Sequence, residues 1–169
     1  LDVNREISAE TKVAVQGLSL PFILISSRMP SAMHHLQDDL DIKHHPIIAY
    51  NGGLILDGQR VLSSTYIDWS LTEAIVKLNQ NTTHLSIYQD HNWYVPSLDF
   101  WAKREMNNTK VTPKQQDYAK TLDGLKEEKA GAHKIMSMGK EQSIDHLYDL
   151  LHKNFGDSLH LYRSKPTYI

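Results

Sequence analysis

The residues best suited to chemistry stand in two short polar stretches, Ser26-Ser27-Arg28 and Asn51-Gly52-Gly53, each closing an apolar run. Hydroxyls, a guanidinium, an amide and glycine-freed backbone N–H groups are the means of holding an anion, phosphate above all. Ser26 either steadies a phosphoryl group or ends a strand and caps the next helix. Ser27 adds a hydroxyl and a backbone N–H. Arg28 either meets a substrate anion or pairs with a core carboxylate. Asn51 and Gly52 either orient a substrate or hold a tight turn.

Elements must bring these stretches together. Four apolar residues, 22–25, read as a strand buried on both faces, as in a parallel sheet covered by helices. Pro30 opens a helix over about 30–40, with Met29, Met33, Leu36 and Leu40 on one side. A second strand over 47–50 completes a parallel βαβ unit, whose strand ends are where open α/β sheets bind ligands. Asp57-Gly58 then predicts a hairpin loop. From about residue 68 the pattern changes. Ser70 with Glu73 predicts a capped helix, and a hairpin over 84–96 turns at 90–92. Ser97 predicts another helix start, and 107–131 reads as loop with a short helix. Strand 134–138 precedes helix 141–155, stopped by Gly156, and 158–163 and 167–169 read as closing strands. The stretches 78–88 and 151–162 echo one another faintly, each passing from a helix end through a polar turn into an alternating run. The fold class is α/β: a partial doubly wound parallel core over 1–67, and an α+β cap on an antiparallel sheet over 68–169.

The 169 residues are 40% hydrophobic and 22% charged, an ordinary globular composition. A formal net charge of −2 gives no electrostatic reason for nucleic acid or anionic membrane as partner. No apolar run approaches the roughly 20 residues of a membrane span. With no cysteine there is no disulfide and no thiolate chemistry, which fits a cytoplasmic protein; a monomer or weak homo-oligomer is expected. The pairs His34-His35 and His44-His45 lack metal-ligand spacing and read as surface histidines, so no metal site is assigned in this chain. Trp93, Tyr94 and Trp101 read as core against a sheet rather than as a pocket lining.

The same residues carry a family likeness. Ile25-Ser26-Ser27-Arg28-Met29-Pro30 resembles the ATGRP segment of the Cof-type branch of the haloacid-dehalogenase-like phosphatases. The run from Ile48 through Asn51-Gly52-Gly53 to Asp57 resembles that branch's ITxNGAxIxD segment. Residues 1–12 resemble the segment just after its nucleophile motif, and 163–169 the end of its cap. The resemblance implies a magnesium-dependent phosphatase of small phosphorylated metabolites, often sugar phosphates, working through an aspartyl-phosphate. Ser26 falls where the family's second motif places a neutral donor to the phosphoryl group. Ser27 stands where glycine is common.

The DxDGT nucleophile motif and the C-terminal metal-binding motif have no counterpart in residues 1–169. Neither Asp2 nor Asp57 suits the nucleophile, so the resemblance implies that magnesium ligands and nucleophile belong to segments outside this chain. The rival reading is a non-catalytic phosphometabolite-binding or regulatory protein. A structural domain without ligand is the third.

Overall fold

The computed structural model describes residues 6–169, so Asp2 and the opening of the 1–12 likeness lie outside the described residues. Helix α1 (Ala9–Gln16) starts at Ser8, whose hydroxyl accepts from the Thr11 N–H at 3.2 Å. Strands β1 (Leu24–Ile25) and β2 (Ile47–Ala49) run parallel, with Leu24 opposite Ile47. The crossover between them is a 3-10 turn, Pro30–Ala32, followed by α2 (His34–Leu40). Met29, Met33, Leu36 and Leu40 are all buried, so the expected βαβ unit is present with its apolar stripe inward. Strands β3 (Leu54–Asp57) and β4 (Arg60–Ser64) complete a sheet of order β1-β2-β3-β4.

The structure corrects two local expectations. The first strand is not buried on both faces: Ile25 is 68% exposed and Ile23 is 42% exposed. Among the described residues β1 is an edge bonded to β2 alone, so only the Leu24 side meets a packed layer. The hairpin loop falls one residue later than expected, at Gly58-Gln59, because Asp57 pairs with Arg60 in the ladder and through a 3.0 Å ion pair. Gly58 has φ +60°, which a first loop position of this kind requires.

Strand β5 (Ile67–Asp68) leads into α3 (Trp69–Asn79). The chain then forms β6 (His84–Gln89), β7 (Asn92–Val95), α4 (Phe100–Thr109), β8 (Lys114–Gln115) and α5 (Tyr118–Glu127). Strands β9 (Gly131–Ala132) and β10 (Lys134–Met138) and helix α6 (Glu141–Phe155) come next. The second sheet has order β10-β6-β7-β8 and is antiparallel except for the β7–β8 pair; β5 and β9 form a two-stranded ribbon. Side chains alternate across it as a pleat demands. Leu85, Ile87 and Ile135 face the helices, while Tyr88, Met136 and Met138 join Ala49, Leu54 and Met29 in one cluster shared with the first sheet.

The helix starts differ from expectation because aspartate caps outcompete serine nearby. Asp68 caps α3 by accepting from the Ser70 N–H and hydroxyl at 2.8 and 2.6 Å, and Asp99 caps α4 by accepting from the Ala102 N–H at 2.8 Å. Part of the polar 107–131 region is the three-turn α5, capped by Asp117. The hairpin loop at 90–92 is tighter than expected, with Gln89 directly paired to Asn92. Helix α6 spans its expected residues, but Gly156 closes it in the right-handed region, without the left-handed turn glycine often supplies.

Residues 158–163 are not a strand, so the faint internal echo fails. Leu159 and Leu161 pack on the α3–α6 cluster without a ladder partner. Residues 167–169 meet β10 through an isolated bridge and the reciprocal Ser137–Ile169 bonds at 3.0 and 3.1 Å.

Candidate functional site

The two polar strand ends are tied to each other by backbone hydrogen bonds. The Ser26 N–H donates to Ile48 O, the Asn51 N–H donates to Ser26 O, each at 2.9 Å, and the Tyr50 N–H donates to Arg28 O at 3.1 Å. Residues 26–28 and 50–51 are therefore one rigid ledge. The Ser26 hydroxyl accepts from the Arg28 N–H at 3.2 Å, which leaves its own proton available to donate. Ser27 has no positive φ, so the Cβ it carries in place of glycine brings no backbone strain.

Tyr50 and Asn51 do take positive φ, 51° and 55°, ahead of Gly52 at 102°. For a bulky residue such a conformation costs about 1–3 kcal/mol unless its surroundings fix it. They do so at Tyr50. Its hydroxyl donates to Asp90 O at 2.8 Å, and its ring stacks on His133 at 5.1 Å with the planes 10° apart. Burial pushes the phenol's pKa up, so the group stays a donor.

The ledge opens onto two cavities. A cleft of about 1060 Å³ is lined by Ser27, Asn51 and Gly53 on one side, and by His133, Lys134 and residues 158–162 on the other. A smaller cavity of about 240 Å³ is lined by Ser27, Arg28, Glu105, Lys134 and Lys165, among others. Ser27 and Lys134 line both. Ser26 and Gly52 line neither, although Ser26 backs the ledge through its carbonyl. Arg28 lies in the smaller cavity and donates to Asn108 O at 3.4 Å.

His133, Lys134 and Tyr50 were not singled out by the sequence. Single residues from β2's end and β9–β10 carry no short-range spacing that would join them. Two histidines outside the sequence pairs, His84 and His133, are buried. His84 is buried between Asp99 and Ser86, each bond 2.9 Å. His133 Nδ1 accepts from the Asp90 N–H at 3.0 Å, which makes the ring the neutral Nε2–H tautomer, with Nε2 3.0 Å from Ser64 Oγ.

Burial holds the His133 pKa below 6.5 against the opposing pull of Asp90. The unfolded chain therefore binds this proton first, and stability declines as pH falls from about 6.5 through the lower folded value. His34 and His35 are lowered by burial too and act in the same direction. We expect melting temperature to drop on acidification below about pH 6.5, and His133→Gln, whose amide can keep both bonds, to flatten that drop. Superimposable pH profiles for the variant and the parent would remove His133 from this account.

Among the described residues there is no group of three or more His, Asp or Glu side chains that could hold a metal ion. These residues do not fit magnesium. Asp57 lies in its exposed ion pair with Arg60.

The sequence pattern of the haloacid dehalogenase-like hydrolases matches residues 1–169. The chain belongs to that family. Solved structures agree on the fold. A haloacid dehalogenase-like hydrolase from Bacteroides thetaiotaomicron superposes with TM-score 0.83 at 15% identity, over 99% of this chain and 64% of that one. TM0651 from Thermotoga maritima gives TM-score 0.83 at 22% identity, over 99% and 63%. The HAD subclass IIB sugar phosphatase BT4131 gives TM-score 0.67 at 16% identity, over 96% and 61%. This haloacid dehalogenase-like chain thus spans less than two thirds of each of those proteins. No curated protein matches it in sequence. Among its described residues no helix is long and apolar enough to cross a membrane.

Proposed function

We propose that this chain is the partial core (1–67) and the cap (68–169) of a Cof-type, magnesium-dependent phosphatase. Its substrates are small phosphorylated metabolites, sugar phosphates first, hydrolysed through an aspartyl-phosphate. The observation that carries the reading is the 2.9 Å bond from Asn51 N–H to Ser26 O, which fixes two parallel-strand ends as one ledge beneath the second sheet. Membership of a hydrolase family supports it, as does the likeness in fold to a sugar phosphatase.

The roles derive from the chemistry of each group. Charge on the transferring phosphoryl oxygens calls for a neutral, preorganised donor; the family resemblance gives that role to Ser26, whose hydroxyl has a free proton to give although it backs the ledge without lining either cavity. Asn51 and Ser27 line the cleft that would receive the leaving group. Arg28 stands one cavity further on, suited to a distal anion. The second sheet roofs the ledge and would exclude water from the reacting bond.

The test is phosphate release from a panel of sugar phosphates by the full-length protein with magnesium. Ser26→Ala is expected to lower kcat about 100-fold, the usual loss of one transition-state donor. A protein that binds these ligands by calorimetry but never releases phosphate would be a phosphometabolite binder, and the enzymatic reading would fall.

A further inference from the structure

Lys134 stands out among the lysines. It is half-buried on β10 and among the described residues makes no ion pair, whereas Lys12, also half-buried, pairs with Asp39. Its ammonium has one long hydrogen bond, 3.3 Å to Ser27 O, and lies 5.4 Å from the centre of the Tyr88 ring. Both are weak compensation for a cation removed from water. Burial lowers its pKa, Glu105 pulling the other way and Arg28 adding to the lowering. The small cavity it faces is also lined by Arg28 and Lys165, against one carboxylate, Glu105. Without counting Arg28, which bonds to Asn108 O, Lys134 and Lys165 still outnumber the one carboxylate that lines this open cavity.

We propose that this cavity is a subsite for a second anionic group, so that the ligand carries a phosphate or carboxylate besides the phosphoryl group at the ledge, and that Lys134 is the specificity-determining residue. The inference rests on the phosphatase reading for the position of the first phosphoryl group. Ser27 and Lys134 line both cavities, so one molecule can reach from the ledge into the subsite without leaving the protein. A second anion completes the solvation of Lys134, which a neutral sugar hydroxyl does far less well. It also brings Lys165, on the same cavity wall, within reach of the anion. The ligand class is therefore a hexose bisphosphate or a phosphorylated sugar acid, in preference to a hexose monophosphate.

Calorimetric titration of the chain with a hexose monophosphate, a hexose bisphosphate and a phosphorylated aldonic acid tests this. At least one of the doubly anionic ligands is expected to bind about tenfold tighter than the monophosphate, the order of coupling measured for close charge pairs that are net favourable. Preference for the bisphosphate alone assigns the subsite to phosphate, and preference for both assigns it to any anion. Lys134→Met is expected to abolish the preference. Equal binding of all three ligands by the unaltered chain, or a preference that survives Lys134→Met, overturns the subsite and leaves the phosphatase reading standing. Binding of none of them overturns the subsite as well. Phosphate release by the full-length protein, lost in Ser26→Ala, judges the phosphatase reading separately.

Discussion

Alanine at Gly131 is expected to cost about 3 kcal/mol of folding stability, at the upper end for a forced steric overlap. Gly131 lies in β9 opposite Asp68, where the ribbon with β5 brings the two backbones together. A Cβ built there overlaps Ile67 O and comes within 2.9 Å of both Ile67 C and Tyr66 Cβ. Backbone cannot rotate away as a flexible side chain can, so β5 and β9 must part. Gly124 is the internal control. It sits inside α5 with nothing within 4 Å of its would-be Cβ, so Gly124→Ala should stabilise by about 0.5–1 kcal/mol through the lost freedom of the unfolded chain. Urea midpoints at unchanged slope measure both. A Gly131→Ala midpoint at or above the parent's would show that the ribbon is not this close. The consequence extends to the site, because β9 runs directly into His133 and Lys134. The same variant should weaken binding of sugar phosphates at the ledge.

The range of the forces involved decides which features were legible in the sequence and which were hidden. Helix α6 was readable because Ile144, Leu147 and Leu151 repeat at helical spacing and all three are buried. The βαβ unit was readable because two apolar runs and a crossover of fixed length leave few alternatives. Helix α5 was obscured. Its buried face comprises Thr121 and Leu125, too little apolar surface to outweigh the charges around it, although Asp117 was there as a cap. The alternation in Leu159-His160-Leu161-Tyr162 is real as burial but not as a strand. It records which side chains reach the α3–α6 cluster, and a ladder partner is a separate requirement. The candidate site divides the same way. That Ser26 and Asn51 would meet could be read from where two neighbouring strands end. Nothing local could reveal that Tyr50 rests on His133, or that Lys134 reaches Ser27, since these contacts join residues 83 or more positions apart and are fixed only when the two sheets share a core.

That shared core rests most heavily on Trp93, and Trp93→Ala is expected to remove about 3–5 kcal/mol, a large part of what a domain of this size possesses. Trp93 is the largest fully buried side chain, 1% exposed, and stacks on Tyr88 at 5.6 Å within the cluster that spans both sheets. Its indole N–H is buried without a hydrogen-bond partner among the described residues. An unsatisfied donor costs about 1–3 kcal/mol, which the native protein already bears. Trp93→Phe removes that donor while keeping most of the ring contacts, so its loss of packing is offset and the net change should stay within about 1 kcal/mol. Thermal and urea denaturation of the pair give the order directly. Equal destabilisation by Phe and Ala would mean that the indole N–H has a partner and contributes to stability. Because Tyr88 walls the small cavity and lies under the Lys134 ammonium, the alanine variant should also lose binding of doubly anionic sugar phosphates, whereas the phenylalanine variant retains it.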